Sequence, residues 1–433
     1  MTDRRAFLGA SAALTTQIFA GRLRGANERI RIGFIGMGRM GMANLGFAIR
    51  HNLEIAAVCD CYQPHLEAAV AYARKNGQQP KAIKDFREII ADRSIDAVCI
   101  STPDHWHAYM TVEACKAGKD VFVEKPLSTY IVEGQKMVEA ARKYKRVVQA
   151  GTMQRSGVHF QQAVEIVRSG KLGKVTFCRT WNTGNTPREG IGNPPDEERI
   201  PEGLDWDMWL GPAPMRRFNA NRWGVYPEKR PRPFPYFRYF WDYAGGSLTD
   251  WGVHVLDIVH MAFNEPMPKS VTALGGKYWL TDNRETPDTL LVTFEYPEGF
   301  VATYENRLCN AEAPLGQGYG TMFHGTEGTL YVNRSFYRII PERGSKLQPV
   351  EVQRSNNANV DHWANFIECI RTRQRPVSDV ETCYKTTAAC ILGNISLRAG
   401  IRVDWDFEKQ TTVQPEARSF LWREYRHPWK LEV

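Results

Sequence analysis

A chain of 433 residues, 43% hydrophobic and 24% charged, is too long for one ordinary core and has the make-up of a water-facing protein of two or more domains. Beyond residue 30 no apolar run reaches the roughly 18 residues a membrane span needs. The nine cysteines form no CxxC pair and no zinc spacing, so reduced core thiols are expected, with no metal site and no disulfide framework. The formal charge of +8 falls to about +5 without residues 1–29, where five arginines face Asp3 and Glu28; no nucleic-acid module uses the remainder.

Residues 1–28 stand apart. Arg4 and Arg5, then Phe7 and Leu8, precede a mildly apolar stretch ending near Ala20. This order resembles a twin-arginine export signal, which implies the twin-arginine export machinery as a partner and a periplasmic or otherwise exported protein. The alternative is a basic arm on a cytoplasmic protein.

From Arg29 a β-α-β alternation begins. "RIRIGFIG" is a strand, "MGRMGMANLGFAIRH" a helix opening on glycines and "LEIAAVCD" a second strand. The turn Gly36-Met37-Gly38-Arg39-Met40-Gly41 has the spacing in which the first glycine makes the turn, the second admits a pyrophosphate and the third lets the helix lie close to the strand. Asp60 ends the next strand, where a carboxylate accepts hydrogen bonds from an adenosine ribose and repels a 2′-phosphate. NAD is therefore expected over NADP, with nearby Arg39 leaving NADP as the alternative.

"FREIIAD", "HAYMTVEACKAG" and "YIVEGQKMVEAARKY" read as helices, "DAVCIST" and "KDVFVEKP" as strands, and "RVVQAGT" as the last of six strands. Such alternation predicts a doubly wound parallel sheet over residues 29–151, with ligands bound beyond the strand C-termini. Ser101, Thr102, Pro103, Asp104, His105 and His107 stand at one such end, and Glu124 and Lys125 at another. Pro126 restricts Lys125 to extended backbone angles and so fixes its direction. A lone lysine in such a loop would be read as solvated; its neighbours decide otherwise.

Residues 152–433 form the second unit, α+β with an open, mainly antiparallel sheet. Within it, residues 184–242 are a long proline-rich and aromatic insertion with seven basic residues from Arg216 to Arg238, read either as a lid or binding loop in which aromatic faces hold a sugar and arginines a carboxylate or phosphate, or as an oligomer arm. "GGSLTDWGVHVLDIVHMAF" reads as a helix in which Asp250, His254 and Asp257 fall at i, i+4 and i+7, so both carboxylates share a face with the imidazole, and Asp250 would either orient it or hold the neighbouring substrate hydroxyl. "KVTFCRTWNT", "SVTALGGKYW", "TLLVTFEYPEGFVATYENR" and "GTMFHGTEGTLYVNR" supply strands, and residues 361–400 two helices expected to pack back near the first unit.

The glycine turn, Ser101-Thr102-Pro103, "GKDVFVEKP" and "GGSLTDWGVH" together resemble the glucose–fructose oxidoreductase, inositol dehydrogenase and rhizopine catabolism (Gfo/Idh/MocA) family. The resemblance implies Lys125, Asp250 and His254 as the catalytic group. It also implies a possible cis Lys125–Pro126 bond. Arg155 and Asp257 are added as substrate contacts beside those three, and a homo-oligomer is expected. The activity expected is oxidation or reduction of a secondary hydroxyl or keto group on a sugar, polyol or glycoside, with tight binding of NAD one reading of the cofactor site. A glycosidase working through transient oxidation and elimination is the alternative, and a non-enzymatic nucleotide-binding scaffold the third reading.

Overall fold

The computed structural model describes residues 29–224 and 235–433. The twin-arginine-like segment lies outside the described residues. The first unit alternates β1 (Arg31–Ile35), α1 (Arg39–Ile49), β2 (Glu54–Cys59), α2 (Gln63–Lys75), β3 (Lys81–Ile83), α3 (Phe86–Ala91), β4 (Ala97–Ile100), α4 (His107–Lys116), β5 (Asp120–Val123), α5 (Ile131–Lys143) and β6 (Val148–Ala150). The six strands are parallel in the order β3-β2-β1-β4-β5-β6. Strands β4, β5 and β6 are buried along their whole length, as continuous apolar runs require when helices cover both faces. Chain order reverses between β1 and β4, and this opens a crevice at their C-terminal ends. The edge strand β3 is one the sequence pattern does not locate: its three residues are exposed or half-buried, with no apolar alternation to mark them.

The second unit is built on an eleven-stranded mixed sheet. Its long central strand, Val175–Asn185, runs parallel to Phe300–Arg307 and antiparallel to Tyr319–Gly325. Thr289–Tyr296 and Phe300–Arg307 form the hairpin that the period-two pattern predicts, with Leu290, Val292, Phe294 and Tyr296 all facing the core. The helices Val253–Ala262 and Val380–Ala399 lie against the covered face of this sheet.

Another helix, Ala358–Thr372, returns to the first unit. Its Trp363 stacks on Phe122 of β5 with ring centres 4.6 Å apart, and its Nε1 donates to Asn44 Oδ1 of α1. In the insertion, Trp206, Trp209, Phe218, Trp223, Phe237, Phe240 and Tyr243 pack with Tyr62 into a small core of their own. Most of those rings are thus spent on one another, although Trp209, Trp223 and Phe237 also reach the crevice wall. All nine cysteines are free thiols. No helix among the described residues is long and apolar enough to cross a membrane.

Candidate active site

At the β1–α1 turn Gly36 has φ +85°. Any side chain there would meet the Ser101 carbonyl carbon and oxygen at 2.8 Å, while a Cβ on Gly41 would stand 1.9 Å from the Gly36 oxygen. A Cβ on Gly38 would find only His65 near, at 3.9 Å, so this side of the loop is open. Gly38 is also the N-cap of α1 and supplies no side-chain bond, which leaves the first N–H groups of the helix for an anion. Asp60 is fixed at the rim, its Oδ2 accepting from Met37 N (2.6 Å) and its Oδ1 from Tyr62 N (2.8 Å). An open glycine, orphan helix donors and a carboxylate at the rim fit a dinucleotide. Gly36, Gly38, Arg39, Met40 and Asp60 line the cleft, whereas Met37 and Gly41 act from behind it.

The cleft continues past Ser101, Thr102, Pro103, Asp104, Glu124 and Lys125 to Asp250, Trp251, His254 and Arg334. His107 supports this wall from behind. Its buried ring lies between two carbonyl oxygens, Pro126 O (2.7 Å from Nδ1) and Thr102 O (3.1 Å from Nε2), tying the β4 and β5 loops together. Burial pulls its pKa down to about 4, so the imidazole is neutral and donates to one of the two. Glu124 is held by Asn44, whose Nδ2 donates to Oε1 at 2.8 Å. The Lys125–Pro126 peptide is cis.

Lys125 Nζ donates to Asp250 Oδ1 at 2.5 Å and to the Asp250 carbonyl at 2.9 Å. Arg238 Nε donates to the same Oδ1 at 3.0 Å. Burial opposes the Asp250 charge, but the two cations outweigh it and hold the carboxyl at about 2. His254, 6% exposed, makes no ring hydrogen bond among the described residues, and its Nδ1 is buried without a partner. Burial first, then the Arg334 and Lys125 charges, push its pKa well below the ordinary value, leaving a neutral imidazole. Asp104 behaves oppositely. Burial raises it to about 7 despite Arg238 and Lys125 nearby.

Two expectations from helical spacing are corrected here. Residues Leu248–Gly252 form a π-helical turn before the regular helix starts at Val253. The wider turn takes Asp250 out of phase with His254, and its carboxylate serves Lys125 and Arg238 instead of orienting the imidazole. Asp257, unlike Asp250, does not line the cleft. It is wholly buried and bound by Arg155 through Nε–Oδ2 (2.8 Å) and Nη2–Oδ1 (2.7 Å), while Arg155 also pairs with Glu265. Arg155 and Asp257 are therefore tied to each other inside the second unit, and neither is among the described residues lining the cleft.

Sequence reasoning missed Arg238 and Arg334. Arg238 belongs to the basic stretch of the insertion, but nothing in that stretch separates it from its neighbours. Arg334 sits in a turn between strands Gly328–Val332 and Phe336–Pro341, where no motif marks it.

A doubly wound sheet with a glycine cradle, facing a second unit that closes Asp250 and His254 over a β5 lysine, describes a two-domain nicotinamide-dependent oxidoreductase. The chain belongs to the Gfo/Idh/MocA oxidoreductase family: residues 30–152 match its NAD-binding Rossmann fold and residues 190–431 its C-terminal alpha/beta domain. A glycosyl hydrolase family 109 protein from Shewanella sp. (strain W3-18-1) is 32% identical over 156 residues, 34% of this chain and 33% of that protein. Its counterpart in Shewanella putrefaciens is 31% identical over the same shares. The chain thus spans about a third of the length of the curated relatives it matches. Among solved structures, the WlbA dehydrogenase from Bordetella pertussis, in complex with NADH and UDP-GlcNAcA, superposes with a TM-score of 0.64 at 19% identity, covering 88% of this chain and 100% of that one. Levoglucosan dehydrogenase, in complex with NADH and levoglucosan, gives 0.65 at 18% identity over 87% and 99%. At these identities the likeness is one of fold.

Proposed function

We propose that this protein uses NAD to oxidise or reduce a secondary hydroxyl or keto group of a sugar, polyol or glycoside. The observation that carries the reading is the meeting, in one cleft, of Lys125 held 2.5 Å from Asp250 and an imidazole, His254, whose ring has no hydrogen-bond partner among the described residues. NAD bound at the glycine turn supplies the hydride acceptor. The chain's own residues manage charge and protons. Lys125 donates to the substrate oxygen and favours alkoxide character on it. His254, neutral and unbonded, takes the hydroxyl proton. Asp250, ionised throughout the physiological range, holds and aims the Lys125 side chain.

The test is a panel of sugars, polyols and aryl glycosides incubated with NAD, following NADH at 340 nm. Reduction of the nicotinamide on adding substrate, whether the NADH leaves or stays on the protein, is the expected result; no reduction with any member counts against the reading. The relatives named as glycosyl hydrolases favour a second reading, in which oxidation is transient and elimination releases the aglycone. Aglycone released without net NADH would select it.

We further propose that the segment carrying Arg4 and Arg5 directs export. An exported enzyme has no free nucleotide pool around it. Such a protein should hold NAD tightly and return it to its starting redox state on the protein.

A further inference from the structure

Arg334 is held by two contacts. Its Nε donates to Gln154 Oε1 at 3.0 Å. Gln154, itself buried, donates from Nε2 to the His254 carbonyl at 2.9 Å, so the amide is fixed at both ends. The guanidinium lies 5.0 Å from the centre of the Trp251 ring. These contacts use the Nε edge and one face of the group. The terminal nitrogens bond nothing among the described residues, and Arg334 lines the cleft beside His254 and Trp251. No carboxylate among the described residues lies at ion-pair distance from it, whereas Lys125 and Arg238 share Asp250. This end of the cleft holds three side-chain cations, Lys125, Arg238 and Arg334, and three carboxyl groups, Asp250, Asp104 and Glu124, none of them close to Arg334. A half-buried guanidinium without a close counter-ion is costly to keep. A neutral hydroxyl leaves it without one; a carboxylate accepts parallel bonds from the fork and supplies it.

We infer that Arg334 is a specificity-determining residue which receives a carboxylate borne by the substrate, so that the cleft prefers uronic acids and related acidic sugars to neutral ones. The inference rests on the oxidoreductase reading above and adds the substrate class to it. Trp251 packs beside the fork, and Gln154 couples its position to the helix carrying His254. Carboxylate and reacting hydroxyl would then be held by one connected framework.

The experiment titrates the NAD-loaded full chain by calorimetry with D-glucuronate against D-glucose, D-galacturonate against D-galactose, and glucose 6-phosphate. The wild-type protein should bind at least one uronate roughly ten-fold or more tightly than its neutral sugar, and less so in high salt. Arg334→Met retains the stem over Trp251 without the charge and should bring that ratio to within about two-fold. Arg334→Lys, which keeps charge but not the fork, should fall between them. Titration with NAD alone should be the same for wild type and Arg334→Met, which excludes misfolding as the cause. No uronate preference in the wild type, or a preference that survives in Arg334→Met, overturns the inference. Tightest binding of glucose 6-phosphate overturns the carboxylate assignment in favour of phosphate. NADH formation in the same samples is read separately: a uronate preference with no NADH from any sugar defeats the oxidoreductase reading while the role of Arg334 stands.

Discussion

Lys125 and His254 do different work, and their replacement should show it. Lys125→Ala and His254→Ala should each lower kcat by roughly 10²–10⁴-fold, the usual span for positioned proton and charge management, with little change in NAD affinity. Wild-type turnover of both variants on a verified substrate would refute the assignment. Because burial and neighbouring cations keep the His254 pKa well below its ordinary value, its protonation should limit kcat/KM only well under pH 6.5. A pH–rate profile whose acid limb lies at or above 6.5 would show that another group is the base. Asp104 gives a stability test of opposite sign. Its carboxyl titrates near 7 in the fold against 3.8 unperturbed, so the folded state holds a proton that the unfolded chain has lost across that window. The cost to stability is absent below pH 3.8, grows as pH rises to about 7, and then levels at something on the order of 4 kcal/mol. Asp104→Asn should therefore gain melting temperature over wild type between pH 4 and 8; a constant difference across that range would refute the shift. Much at this scale was legible. Lys125 was marked by its proline, and Asp60 by its distance from the glycines. Arg334 was not, because its role depends on Gln154 and Trp251, which are distant in sequence.

Among the elements, the β1–α1 turn is the least tolerant. Gly41→Ala would put a methyl 1.9 Å from the Gly36 oxygen, which no rotamer relieves, so α1 must move off the turn. The variant should melt lower than wild type and lose the thermal shift that NAD produces; an unaltered shift would mean that the turn does not carry the pyrophosphate. Asp60→Ala removes the acceptor for Met37 N and Tyr62 N along with the ribose-facing charge. It should weaken NAD and reduce the preference for NAD over NADP, as measured by titration with each. An unchanged ratio would place Asp60 outside the ribose site. The strands and helices of the first unit could be read from apolar runs and glycine punctuation. The π turn at Leu248–Gly252 could not, since helical periodicity assumes a constant 3.6 residues per turn and one wider turn shifts everything before it. That single irregularity separated Asp250 from His254; Asp257 lies within the regular helix and was misread because Arg155, distant in sequence, binds it away from the cleft.

For the whole molecule, the export proposal predicts that the full-length chain fractionates outside the cytoplasm and releases nucleotide when the purified protein is denatured. Cytoplasmic protein that purifies empty and turns over only with added NAD would defeat it. The two-unit layout was legible because β-α alternation gives way to period-two strands near residue 152. What could not be read was how the units interlock, because those contacts join residues hundreds of positions apart. Trp363, Phe366 and Ile367, late in the chain, pack in one cluster with Ile32, Phe34, Leu45, Val58 and Phe122. The nucleotide-binding half therefore lacks part of its own interior until the last third of the chain arrives. Cut at residue 151, it would bare the face of Phe122 and strand the Asn44 side-chain carbonyl that Trp363 serves. During synthesis this half must wait, incompletely cored, for a helix made some 200 residues later. A cofactor module transplanted without the Ala358–Thr372 helix would lack Trp363, Phe366 and Ile367 from its core.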